Sequence, residues 1–207
     1  MLTDHERHRT LAPPMAAPPP RTRLLGTMVL RAIGWRPAGE PPELPRYVLI
    51  AAPHTTNWDL PVMLAFGLYY GLRIQWFGKH TLFAPPFGGL MRAVGGIPID
   101  RRARHDMVKQ AADALRAAPS MVLAVPPEGT RKRTEYWKSG FYWIAHEAGV
   151  PIVCGFLDYG RREGGFGPTV WTTGDPAADM ATIRGFYREK IGLYPENFGP
   201  VRLRDEG

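Results

Sequence analysis

The run His54-Thr55-Thr56-Asn57-Trp58-Asp59 sets an imidazole and a carboxylate five positions apart, between the apolar stretches 47–52 and 60–72. An imidazole ionises near neutral pH, so its neutral ring can take a proton from a hydroxyl. A carboxylate on the other ring nitrogen fixes the tautomer and stabilises the imidazolium that forms. Residues three or four apart share a helix face, but residues five apart do not. The pair therefore reads as a histidine leaving a strand and an aspartate in the first turn of the next helix, with the chain bent so that the side chains converge. A second reading fits the same residues: Thr56-x-x-Asp59 has the pattern of a helix capping box. Pro61 weakens it, because a proline past the first turn clashes with the helix and lacks its N–H.

Two further clusters follow apolar runs, where loops present side chains at a sheet rim. One is Gly95-Gly96-Ile97-Pro98-Ile99-Asp100-Arg101-Arg102; the other is Pro127-Glu128-Gly129-Thr130-Arg131-Lys132-Arg133, with Lys138 close behind. Guanidinium groups match phosphate oxygens in pairs, and glycine lets the backbone approach a ligand. Arg101, Arg131 and Lys138 are thus candidate phosphate partners. Glu128 could brace Arg131 or bond a substrate hydroxyl. Taken singly, each cluster also reads as a solvated turn, and Asp100 could simply pair with a neighbouring arginine. What argues for a site is the combination, each part following its own apolar run.

The elements that must position these groups alternate. Residues 46–53, 73–78, 121–126 and 151–157 read as strands, with a short extended piece at 97–100. Residues 22–34, 58–71, 86–94, 103–118, 139–148 and 177–190 read as helices, and 36–45 as a loop by proline density. Strands and helices taking turns predict a layered α/β domain. A Pro/Ala-rich tail over 1–21 precedes a single domain over 22–207.

The chain has 207 residues, 44% hydrophobic, with 26 Lys+Arg against 19 Asp+Glu and a formal net charge of +7. That excess suits phosphorylated substrates or anionic headgroups, and no nucleic-acid recognition motif accompanies it. Cys154 is the single cysteine, which excludes an internal disulfide and fits a reducing compartment. It follows 150–153, an apolar run, and reads as a small buried hydrophobe. The histidines form no zinc-type spacing, so no metal is expected. No secretory signal is recognisable, and the longest apolar run, 60–72, is too short to span a bilayer of about 20 helical residues.

In this order the blocks resemble those of the glycerolipid and lysophospholipid acyltransferases, of the 1-acylglycerol-3-phosphate acyltransferase type. His54 and Asp59 match that family's His-x4-Asp. Gly95 to Arg101 resembles its Gly-x-Ile-Phe-Ile-Asp-Arg block, with Pro98 where Phe is usual. Pro126 to Lys132 resembles Phe-Pro-Glu-Gly-Thr-Arg-Ser, and Val150 to Cys154 resembles Val-Pro-Ile-Val-Pro. The resemblance spans roughly residues 46–158 and implies a mixed, largely parallel central sheet flanked by helices, as in glycerol-3-phosphate acyltransferases. It implies acyl transfer from acyl-CoA or acyl-carrier protein to a lysophospholipid such as 1-acylglycerol-3-phosphate. His54 would be the general base and Asp59 its orienter, with Arg101, Glu128, Gly129, Thr130, Arg131 and Lys138 binding substrate. No cofactor is implied, since the thioester is a substrate. The expected setting is cytoplasmic, peripheral on the inner face of an anionic membrane. Two alternatives stay open: an acyltransferase for an amino-lipid or glycan acceptor, and a catalytically silent lipid-binding protein.

Overall fold

The computed structural model describes residues 20–99 and 104–204. Most of the expected tail, and Asp100, Arg101 and Arg102, lie outside those residues. The strands are β1 (Arg36–Ala38), β2 (Arg46–Ala52), β3 (Ile74–Lys79), β4 (Gly96–Ile99), β5 (Met121–Val125), β6 (Ile152–Asp158) and β7 (Glu163–Val170). The α-helices are α1 (Pro20–Ala32), α2 (Asp59–Tyr70), α3 (Gly88–Ala93), α4 (Arg104–Ala117), α5 (Gly140–Ala148) and α6 (Pro176–Tyr187). The strands form one sheet in the order β1-β7-β6-β2-β5-β3-β4. Every pairing is parallel except β6 with β7. This is the mixed, largely parallel sheet flanked by helices that the sequence led us to expect.

Burial explains the strand patterns. β2 lies between β5 and β6, and Tyr47, Val48, Leu49 and Ile50 are all buried. A strand covered on both faces needs apolar side chains at every position, so it reads as an unbroken run. Val48, Ile50 and Ala52 pack with Leu115 of α4, Phe141 and Ile144 of α5, and Met180 and Ile183 of α6. Tyr47 and Leu49 pack on the opposite face with Leu30 of α1 and with Val62, Phe66 and Tyr70 of α2. β2 is therefore fixed in register from both sides, and so is the loop that leaves its end.

Two strands depart from expectation. β1 lies inside the segment read as a loop; its Pro37 lacks an N–H, which an edge strand tolerates. β7 carries Gly164, Gly165, Gly167 and Pro168, a composition that hides a strand. Its glycines are there because space is absent. A Cβ at Gly164 would strike the Phe66 ring, one at Gly165 the Ala38 carbonyl, and one at Gly167 the Phe186 ring.

α1 packs across α2 through Gly26, where a Cβ would fall onto the Tyr69 backbone. Gly26→Val should therefore prise α1 off the domain, at a cost of about 1–3 kcal/mol. The expected result is a lower urea midpoint with faster proteolysis inside 20–32. Unchanged values would mean that α1 does not depend on this contact.

Candidate active site

The chemistry-bearing loops leave three neighbouring strands. His54 follows β2, Glu128 follows β5 and Tyr159 follows β6, and these strands lie side by side as β6-β2-β5. All three run parallel, so the loops emerge at one rim, where the ends of parallel strands leave a crevice.

Asp59 opens α2 with its carboxylate folded back over the loop. Oδ2 lies 3.0 Å from His54 Nδ1 and accepts the N–H groups of Thr55 at 3.0 Å and Thr56 at 3.1 Å. Oδ1 accepts the Tyr159 hydroxyl at 2.8 Å. The two amides are obligate donors, so the group behaves as a carboxylate receiving hydrogen bonds. Nδ1 then carries its proton, and Nε2 is the basic nitrogen. The Asp59 side chain is 8% exposed and that of His54 is 22% exposed, so the orienter is sealed while the ring can be reached.

The capping reading is met only in part: Asp59 returns to the Thr56 N–H, but Trp58 rather than Thr56 precedes the first helical residue, and no side chain caps the helix. The Thr56 hydroxyl accepts the Trp58 N–H at 3.3 Å. Helical geometry starts at Asp59, which leaves Pro61 in the first turn, where no intrahelical N–H is needed. The segment 191–194 closes over the loop. A Cβ on Gly192 would press on Thr55 and Pro53, and the Tyr194 N–H donates to the Thr55 hydroxyl at 3.3 Å.

Glu128 turns to the histidine loop rather than to Arg131. Its Oε1 accepts the His54 backbone N–H at 2.8 Å, and the residue is 1% exposed. Oε2 is buried without a hydrogen-bond partner among the described residues. Burial pushes the carboxyl up to about 8; the His54 N–H opposes that rise, and the Asp59 charge adds to it. Glu128 thus holds the backbone of the histidine as a mostly neutral acid at pH 7 rather than bracing Arg131.

The same turn carries the other predicted groups. Gly129 has φ +66°, and a Cβ there would meet the Lys138 side chain at 2.8 Å. The Lys138 N–H donates to the Pro127 carbonyl at 2.8 Å, which folds that lysine back over the turn. The Thr130 hydroxyl accepts the Lys132 N–H at 3.3 Å. Arg131 and Lys138 are exposed. His54, Asp59, Glu128, Gly129, Thr130, Arg131 and Lys138 therefore occupy adjoining loops of one rim, whereas Arg101 lies outside the described residues. Cys154 is buried, and burial pushes its thiol up to about 12, so it has no nucleophilic character. Sequence reasoning missed Tyr159 and the 191–194 segment. Tyr159 sits six residues past the Val-Pro-Ile-Val run, and nothing in the primary pattern links it to Asp59.

A family model described as Acyltransferase matches residues 40–155. The chain belongs to the acyltransferase family, and it is an acyltransferase enzyme. Among solved structures it is similar to the 1-acyl-sn-glycerophosphate (LPA) acyltransferase PlsC from Thermotoga maritima. The TM-score is 0.53 and the identity 17%, over 82% of this chain and 74% of that one. That likeness establishes a shared fold. No curated protein sequence matches the chain at a significant level.

The neutral state of Glu128 has a consequence for stability. Its folded value of about 8 lies above the ordinary 4.5, so between them the native chain holds a proton that the unfolded chain has released. Stability from this group is full below the ordinary value and is lost as pH rises through the folded one. Glu128→Gln keeps the acceptor for the His54 N–H and has no proton to lose. The melting temperature of the wild type should fall more than that of Glu128→Gln between about pH 5 and pH 9. Parallel curves would mean that Glu128 is already ionised in the folded protein.

Proposed function

We propose that the chain moves a fatty acyl group from a thioester, acyl-CoA or acyl-carrier protein, to a hydroxyl of a lysophospholipid such as 1-acylglycerol-3-phosphate. The observation that carries this reading is the His54–Asp59 pair, with Nδ1 occupied by a sealed carboxylate and Nε2 left for a substrate. Nε2 takes the proton of the acceptor hydroxyl as its oxygen attacks the thioester carbonyl. The tetrahedral adduct collapses with cleavage of the C–S bond, and the departing sulfur takes the proton back from the imidazolium. The products are the ester and the free thiol, and the enzyme is restored. Metal and redox cofactors play no part in this scheme.

Arg131 and Lys138 are proposed to receive the acceptor phosphate together with Arg101, while Gly129 and Thr130 shape the turn. Glu128 acts by holding His54. That the Thermotoga protein is titled a 1-acyl-sn-glycerophosphate acyltransferase supports this choice of acceptor.

Contact with an anionic membrane, on its cytoplasmic leaflet, is part of the same reading. Neither 20–39 nor 60–99 contains an acidic residue. Those stretches expose Leu24, Leu25 and Met28 on α1, and Leu82, Phe87 and Leu90 around α3. Arg23, Arg31 and Arg36 line a groove of about 670 Å³ beside α1, with Trp35 and Tyr69. Apolar side chains ringed by cations suit anionic headgroups. Among the described residues no helix is long and apolar enough to cross a membrane.

The decisive assay mixes the protein with labelled acyl-CoA and a panel of lysophospholipid, amino-lipid and glycan acceptors, and identifies the product by mass spectrometry. The expected product is a diacylglycerophosphate. His54→Ala should lower kcat by about 10²–10⁴-fold, and Arg131→Ala should raise the acceptor KM. An acylated amino-lipid or glycan would move the acceptor to the alternative class. Lysolipid binding with no transfer, before and after His54→Ala, would identify a silent lipid-binding protein.

For the membrane surface, co-sedimentation with phosphatidylcholine vesicles is compared with and without phosphatidylglycerol. Binding should need the anionic lipid and weaken strongly in Met28→Glu with Phe87→Glu, while activity on a dispersed short-chain acceptor is retained. Equal binding by the variant would rule out these two patches as the contact.

A further inference from the structure

Tyr159 stands outside every motif so far assigned, beyond the residues 40–155 that the family model matches. It nevertheless makes the shortest of the four polar contacts to Asp59, through an oxygen no other described group approaches. We propose that Tyr159 is a positioning residue of the acyl-transfer site, which sets the strength of His54 as a base by holding Oδ1 of Asp59. The proposal rests on the reading of His54 as general base.

The division of contacts carries the inference. Oδ2 serves His54 Nδ1 and the two threonine amides, all from the loop that carries the histidine itself. Oδ1 receives the Tyr159 hydroxyl, from a turn of a different strand. Asp59 is buried, so without that hydroxyl Oδ1 would be an unmet charged acceptor. Donation to Oδ1 draws negative charge away from Oδ2. Removing the hydroxyl should therefore leave Oδ2 more negative and favour the imidazolium of His54.

Tyr159 is itself held in place. Its N–H donates to the Ile191 carbonyl at 2.8 Å, and its ring meets that of Trp35 edge-on with centroids 4.9 Å apart. It therefore ties Asp59 to the 191–194 segment and to the chain following α1. Burial, with the bond to Asp59, holds the phenol well above its ordinary range, so it remains a donor across the working pH. The other groups that bear on this cluster are Glu128 on the His54 backbone, Arg162 near Tyr159, and Tyr194 beside Thr55. None of the three hydrogen-bonds Asp59 among the described residues.

The test is Tyr159→Phe, which keeps the ring against Trp35 and removes the hydroxyl. It is assayed with acyl-CoA and lysophosphatidic acid beside an NMR titration of the His54 imidazole. The expected result is an acceptor KM within about twofold and an acid limb of kcat/KM displaced upward together with the His54 titration. In an Asp59→Asn background the same change should add little, since the carboxylate it acts through is gone. Replacing Tyr159 by a ring-fluorinated tyrosine preserves every contact with a stronger donor, and should move the acid limb down. That arm stands even if Tyr159→Phe fails to fold.

An acid limb and a His54 titration left in place by both changes would overturn the proposal. So would a loss that appears wholly in acceptor KM. Full activity in His54→Ala would instead overturn the general-base reading, and the imidazole titration would still report whether Tyr159 governs that ring.

Discussion

A buried carboxylate that receives four hydrogen bonds is the constraint around which this rim is built. Removing a negative charge from water is costly unless its oxygens are fully engaged. Asp59 meets that cost with the His54 ring, the Thr55 and Thr56 amides, and the Tyr159 hydroxyl. Three of those donors lie within five residues of it, so the loop must fold back sharply between β2 and α2. The fourth comes from the end of β6, the strand that pairs with β2 on one side. The local turn and the long-range sheet pairing thus converge on one group. The catalytic geometry is also the arrangement that makes the buried charge tolerable.

The second carboxyl shows why the partition matters. Glu128 lies on the other side of the histidine with one donor on Oε1 and none on Oε2, in a site dry enough to keep it largely neutral. Two full negative charges beside one imidazole would favour the imidazolium and blunt the base. Burial of Glu128 avoids this conflict by disfavouring its charged form, while its carboxyl holds the backbone of His54. Both contacts leave Nε2 untouched, the nitrogen proposed to act as the base.

Local patterns made most of this legible. The apolar runs in 46–53 and 121–126 announced strands, the family resemblance a largely parallel sheet, and the His-x4-Asp spacing a strand-to-helix turn. Three kinds of information were not local. β7 is glycine-rich because Phe66, Ala38 and Phe186 leave no room for side chains, a fact about its neighbours rather than its own propensity. The role of Glu128 depends on a backbone N–H, which no residue pattern displays. Tyr159 reaches Asp59 across 100 positions, and a single tyrosine after a strand has many ordinary explanations. The same four blocks that exposed the family drew attention away from a contact lying just outside them.

The strand order also separates the two segments proposed to serve the acceptor phosphate. The turn carrying Arg131 leaves β5, adjacent to β2, whereas the Gly95–Arg101 block includes β4, at the edge of the sheet. Strands lie about 4.8 Å apart, so the starting points of these segments are roughly one and three spacings from the strand that delivers His54, near 5 and 14 Å. A glycerophosphate has its free hydroxyl and its phosphate only a few bonds apart. Under the proposed acyl transfer, such an acceptor with its hydroxyl on Nε2 would place its phosphate on the side of the β5 turn, which carries Arg131. An arginine arriving from the β4 side would have to extend along the rim to meet the same oxygens. Under the proposed acyl transfer, the β5 turn is thus the nearer of the two segments to the loop that carries His54, and the segment after β4 the farther.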